Sequence, residues 1–133
     1  MIVVDDSAVL DVISGDPFSV PLLQRVAGQP WHAPHLIDLE VLHALRRLAM
    51  HHPSKAELAE TTRAEFLALT ITRYSHVGLR DRIWELRSVM TAYDAAYIAL
   101  AEALDAPLVT TDARLGRAPG SRCVVEVFAQ PSN

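Results

Sequence analysis

An α/β domain is what this sequence predicts, with a mostly parallel central sheet held between helices in three layers. Short β-branched runs alternate along the chain with segments of helical periodicity, and the joints between them are brief. Two of the runs, Ile2-Val3-Val4 and Leu108-Val109-Thr110-Thr111, are followed at once by aspartates, Asp5 and Asp112. Buried parallel strands read this way, and ligands gather beyond their carboxyl ends. With 133 residues, half of them hydrophobic and 21% charged, the chain has the size of one domain spanning 1–133.

The elements follow in order. Met1-Ile2-Val3-Val4 reads as the first, central strand. Asp5-Asp6-Ser7 supplies N-cap chemistry for a short helix carrying Val9, Leu10 and Ile13, which stops at Gly15. Asp16-Pro17 starts a second piece with Leu22, Leu23 and Val26 on one face, closed by Gly28. Trp31-His32-Ala33-Pro34 is a brief extended segment, and the next helix must begin after Pro34. There Ile37, Val41, Leu45 and Leu48 recur at helical spacing to about Met50. Pro53-Ser54 breaks the chain before a further amphipathic helix through Leu58, Phe66 and Leu69. Thr70 to Tyr74 alternates as a strand does. Helices over Leu79 to Val89 and Ala92 to Leu104 lead to the strand at Leu108. The last strand runs from Cys123 to Phe128 and buries the Cys123 thiol.

Composition excludes several classes. Cys123 is the single cysteine and cannot form an internal disulfide, which fits a reducing, cytoplasmic location. No segment approaches the roughly 20 apolar residues that span a bilayer, and the first residues show no signal-peptide pattern. The net charge of −4 argues against nucleic-acid binding through bulk charge. Of the twelve Lys and Arg residues only Lys55 is lysine, and arginine is the side chain that grips phosphate bidentately. Glycines 15, 28, 78, 116 and 120 form neither a dinucleotide fingerprint nor a P-loop. There is no G-x-S-x-G elbow. His32 with His35, and His51 with His52, lack zinc-ligand spacing and read as loop or helix-end surface residues.

Four acids stand out. Asp5 and Asp112 follow strands and converge if those strands are neighbours. Glu40 lies about one turn into the helix after Pro34, and Asp94 sits three residues after Thr91. Each has a structural alternative: Asp5, Asp6 or Asp112 as helix caps, Thr91-Ala92-Tyr93-Asp94 as a variant capping box, Glu40 as a partner of the helix dipole. Together, however, clustered carboxylates repel one another and make sense around hard divalent cations such as Mg²⁺ or Mn²⁺. Such ions polarise a phosphodiester and activate water.

Ile2-Val3-Val4-Asp5-Asp6-Ser7-Ala8, Leu39-Glu40-Val41, Thr91 to Tyr97 and Leu108 to Leu115 resemble, in order and spacing, the motifs of PIN-domain ribonucleases, and within them the VapC toxins of toxin–antitoxin pairs. The resemblance implies a PIN-like α/β/α sandwich and a metal-dependent endoribonuclease acting on tRNA or rRNA. It implies Asp5 and Asp94 as the acids that most directly hold Mg²⁺, with Glu40 and Asp112 completing the site or orienting water. Ser7 and Thr110 match small hydroxyl residues supporting the acids. It further implies neutralisation by a cognate VapB-like antitoxin, homodimers and toxin–antitoxin hetero-oligomers. Asp6 departs from the pattern, because many relatives carry a small residue there. A DNA- or flap-directed PIN nuclease and a non-catalytic partner-binding module are the competing functions.

Arg80, Arg82, Arg87, Arg114 and Arg117 flank the Asp94 and Asp112 motifs. Arg114 and Arg87 are the candidates for guiding RNA phosphates, against a solvated face paired to acids such as Asp81 and Glu85. Trp84, Trp31 and Phe66 could stack on bases, but their spacing favours a core or dimer-contact reading for Trp84.

Overall fold

The structure, a computed structural model, describes residues 1–15 and 18–129. The expected helix start at Asp16-Pro17 lies outside the described residues. In chain order the elements are β1 (Ile2–Val4), α1 (Asp6–Ser14), α2 (Val20–Val26), β2 (Trp31–Pro34), α3 (Leu36–His51) and α4 (Ala56–Ala68). They continue with β3 (Ile71–Tyr74), α5 (Arg80–Glu85), α6 (Ala92–Leu104), β4 (Leu108–Thr110), α7 (Ala113–Arg117) and β5 (Val125–Val127). The strands lie in the order β3-β2-β1-β4-β5, and every pairing is parallel.

That order reverses direction once. From β1 the chain steps outward through β2 to β3, then crosses back to β4 beside β1 and continues to β5. Right-handed crossovers therefore put the first helices on one face of the sheet and α6 on the other. The contacts agree: α1 packs on α2, α3 and α4, while α6 lies across β1, β2 and β4 with α5 against it. Such a reversal leaves a crevice between the two central strands, here β1 and β4.

The two sides of the core are built differently. Val9, Leu22, Val26, Ile37, Val41, Leu45 and Phe66 come from amphipathic helices and are buried. Helix α6 is buried at every position from Ala95 to Leu100 and at Ala101, as a helix apolar all round must be. Its alanines are short enough to let the backbone lie close on the sheet. No helix among the described residues is long and apolar enough to cross a membrane.

Four expectations are corrected. The last strand begins at Val125, and Cys123 lies outside it, only partly buried beside the Ser121 hydroxyl. β5 pairs with β4 alone, so its ladder ends where β4 ends. The expected Leu79–Val89 helix holds only over Arg80–Glu85, because Leu86 folds into the core and the chain turns there. His32 is a buried strand residue whose Nδ1 lies 2.7 Å from the Tyr74 hydroxyl, while His35 is exposed. Of the two readings of Trp84 the core one fails, since the residue is 67% exposed, as the dimer-contact reading allows.

Candidate active site

The crevice between β1 and β4 is where Asp5 and Asp112 emerge. Asp5 is buried and held from three sides: Oδ1 accepts from the Ser7 hydroxyl at 2.7 Å and the Ala8 amide at 2.9 Å, and Oδ2 from the Thr110 hydroxyl. Ser7 and Thr110 themselves touch at 3.2 Å. They also accept the Thr111 and Asp112 amides, both at 3.0 Å. The two hydroxyls thus stitch the end of β1 to the end of β4 and fix the Asp5 rotamer. Burial pushes the Asp5 carboxyl up from 3.8 to about 6, despite the hydrogen bonds from Thr110, Ala8 and Ser7. Asp5 is also the N-cap of α1. The capping reading and the site reading hold for the same side chain.

Glu40 and Asp94 come from α3 and α6, the helices that wall the crevice. Burial pushes the Glu40 carboxyl from 4.5 to about 7, and the charges of Asp6, Asp94 and Asp5 push in the same direction. Burial and the charge of Asp112 raise Asp94. Asp6, the departure in the sequence, is raised by burial and by the charges of Asp94 and Asp112. It belongs to the same acidic field rather than pointing away as a mere cap. Asp5, Asp6, Glu40, Asp94 and Asp112 therefore repel one another around one sheet edge.

Tyr97 was not singled out by the sequence. It is a buried residue of α6, one turn beyond Asp94. Its hydroxyl and Glu40 Oε1 are buried atoms without a well-formed hydrogen bond among the described residues. The groups nonetheless face each other, since the phenol pulls Glu40 part of the way back down and Glu40 helps push the phenol far above its ordinary range. A tyrosine one turn beyond Asp94, inside an alanine-rich stretch, was the available signal. Tyr97→Phe is expected to raise the Glu40 pKa further, followed by carboxyl-resolved NMR titration. It should lower stability by no more than about 1 kcal/mol, because no good hydrogen bond is lost. A Glu40 titration that stays put would show that the phenol does not act on it.

Asp112 is placed differently. Its Oδ1 caps α7 through the Arg114 amide at 2.9 Å, and its Oδ2 takes the Arg114 guanidinium at 2.9 Å. The Arg114 hydrogen bond holds the Asp112 carboxyl below its ordinary value, in contrast to the other four acids. Among the described residues, no three acidic, His or Cys side chains crowd closely enough to grip one ion as they stand. The chemistry nevertheless fits a hard divalent cation. Every donor is a carboxylate oxygen, and Glu40 Oε1 is a buried acceptor without a well-formed hydrogen bond among the described residues.

The arginines divide into two groups. Arg82 is a structural clamp, bound to both Glu102 oxygens at 2.7 and 3.0 Å, to Glu85 at 3.1 Å and to the Gly120 carbonyl. It is not available to a phosphate, and its main partner is Glu102, not Asp81 beside it. Arg87 lies over the Trp84 ring, 4.5 Å from its centroid. Arg114 is tied to Asp112 although its side chain is 80% exposed.

Comparison with known proteins gives a consistent answer. Residues 2–121 match the PIN domain family. The chain is 42% identical to ribonuclease VapC9 of Mycobacterium tuberculosis over 127 residues, 96% of this chain and 98% of that protein. It is 41% identical to ribonuclease VapC1 of the same organism, over 94% of this chain and 96% of that one. A crystal structure of VapBC2 from Rickettsia felis, bound to a DNA fragment from their promoter, shares the fold with a TM-score of 0.69 at 17% identity. The match covers 96% of this chain and 99% of that one.

Proposed function

Since this chain belongs to the PIN-domain family and, within it, to the VapC ribonucleases, we propose that it is a toxin endoribonuclease that hydrolyses RNA phosphodiester bonds with Mg²⁺ or Mn²⁺. The observation that carries the reading is the group of carboxylates gathered at the β1–β4 crevice, where burial first and neighbouring negative charge second hold Asp5 up to about 6 and Glu40 up to about 7. Acids pushed that far from their ordinary values cluster at functional sites. A module that only bound a partner would have no use for the repulsion.

Asp5 and Asp94 would be the most direct metal donors, with Glu40 and Asp112 completing the set or orienting the attacking water. When bound, the ion supplies Lewis acidity toward the phosphoryl oxygens and a more acidic water. The chain does the rest. Ser7 and Thr110 keep Asp5 in a single orientation. The Arg114–Asp112 pair is exposed enough to open, which would free the carboxylate for the site and the guanidinium for an RNA phosphate. The proposal extends to a tRNA or rRNA target, a homodimer and a VapB-like antitoxin, the last supported by the VapBC pairing named for the Rickettsia neighbour. Purified, partner-free protein is expected to cleave RNA with Mg²⁺ or Mn²⁺ and to stop when the metal is chelated. An RNA panel left intact under all metals would favour the partner-binding module, and cleavage confined to DNA would favour a DNA-directed nuclease.

A further inference from the structure

The acidic crevice opens onto a groove with two connected parts. The first, about 560 Å³, is lined by Asp6, Glu40, Leu36, Leu39, Arg47 and Tyr93. The second, about 350 Å³, shares Leu36 and Tyr93 with it and continues past Ile83 and Trp84 to Arg80 and His76. Tyr93 is 61% and Trp84 67% exposed, so two large aromatic rings stand in solvent along one groove. Arg87 covers one face of the Trp84 indole. That cation–π contact helps to hold the ring in place, and Trp84 lines the second part of the groove.

The cations are sorted in the same direction. Arg25, Arg73 and Arg82 are tied to Glu126, Asp38 and Glu102 in partly buried ion pairs. Arg47 and Arg80 line the two ends of the groove; neither has an acidic partner among the described residues, although Arg80 donates its Nε–H to the Val77 carbonyl at 2.9 Å. Arg46, Arg87, Arg117 and Arg122 also lack an acidic partner among the described residues, so what marks the groove is the placing of two such cations beside exposed aromatic rings and an acidic centre. Apolar rings alone would suit a peptide. Rings flanked by guanidiniums whose charge no acid neutralises suit a ligand with flat bases and an anionic backbone.

We infer that this groove is a track for single-stranded RNA, with bases stacking on Tyr93 and Trp84 and flanking phosphates met by Arg47 and Arg80. The inference rests on the reading of this protein as an RNA phosphodiesterase, and it adds the residues that position the strand beside the acids. Stacking tolerates every base, so the track governs affinity and strand form more than sequence choice.

The test is a titration of the intact protein, in chelator, into a short mixed-sequence 2′-O-methyl oligonucleotide that resists cleavage and carries a fluorophore, with affinity for every variant read from the anisotropy of that label and wild-type tryptophan quenching followed alongside. Of the two tryptophans, Trp31 is partly buried with its indole N–H bound to the Val26 carbonyl, so fluorescence quenching reports mainly on Trp84. Binding with quenching is expected. Trp84→Ala and Tyr93→Ala should each weaken it by roughly 5- to 100-fold, Trp84→Phe should restore most of it, and Leu67→Ala, on exposed α4 surface, should change nothing. On cleavable RNA the same two alanine variants should raise KM far more than they lower kcat. Unchanged affinity in both overturns the inference. If that is accompanied by loss of a dimer in sedimentation, the face belongs to a second copy; if by loss of a co-expressed antitoxin, it belongs to that partner. A wild-type protein that binds and quenches but cleaves no RNA defeats the nuclease reading and leaves the track standing. A protein that cleaves equally well with and without the rings does the reverse.

Discussion

Asp94→Asn is expected to lose about 100-fold or more of the metal-dependent RNA cleavage while melting no lower than the wild type. The substitution is isosteric, and the start of α6 is fixed by a bond that survives it, from the Asp94 amide to the Thr91 hydroxyl at 3.1 Å. What disappears is one carboxylate charge that burial and Asp112 already oppose. Removing an opposed charge relieves repulsion in the metal-free protein, so stability holds or rises as the activity falls. Asp5→Asn should silence the enzyme as thoroughly but is a poorer probe. Asp5 accepts from Ser7, Ala8 and Thr110, and an amide would turn an N–H₂ toward one of these donors, at a cost of about 1–2 kcal/mol. The sequence treats the two acids alike, whereas the structure makes Asp5 part of the strand-to-strand stitching and Asp94 free of it. Rates on one RNA substrate and thermal melts of the same preparations decide the matter. An unfolded Asp94→Asn protein would make Asp94 structural, and a fully active one would remove it from the chemistry.

How much of this was legible depends on what kind of neighbour each residue needs. β1 and β4 could be read because their apolar runs are local, but the sequence left their adjacency as a condition, which the pairing of Val3 with Leu108 and Val4 with Val109 meets. That was enough to bring Asp5 and Asp112 to one edge. Ser7 and Thr110 could be placed near the acids, but the hydroxyl bridge between them joins residues more than a hundred positions apart, which no local pattern encodes. The states of Glu40 and Tyr97 were hidden for the same reason. A glutamate in the second turn of a helix looks solvated until α6 is laid against it. His32 and Trp84 erred in opposite directions. Pro34 suggested a loop, but it ends a strand that pairs on both sides, and β1 and β3 bury His32. The helical spacing of Trp84 suggested a core face, but α5 is too short and too near the surface to bury it.

In the absence of metal the protein should melt progressively lower as the pH rises from about 5 to 8, and Glu40→Gln should blunt that decline. Folded, the Asp5 and Glu40 carboxyls titrate near about 6 and about 7, against ordinary values of 3.8 and 4.5. Between those limits the folded chain keeps protons that the unfolded chain has released, so stability falls with rising pH throughout the window. The contribution is complete below about pH 4 and is lost as the pH passes through the folded values. Each unit of displacement corresponds to about 1.4 kcal/mol. Glu40 is only partly buried and solvent screens it, so a gain of about 1–2 kcal/mol for Glu40→Gln at pH 8 is the expectation, with none near pH 4. Mg²⁺ should act in the opposite sense. It requires ionised carboxylates, so its stabilisation should be small at pH 5, where protons compete. At pH 8 it should reach about 2.7 kcal/mol once the metal stands at a hundredfold excess over its Kd. The divergence of the two curves, with and without Mg²⁺, is the signature of repelling acids that a cation reconciles. Melts that are flat from pH 5 to 8, or a Mg²⁺ effect equal in wild type and Asp94→Asn, would mean that these carboxylates do not form a metal site.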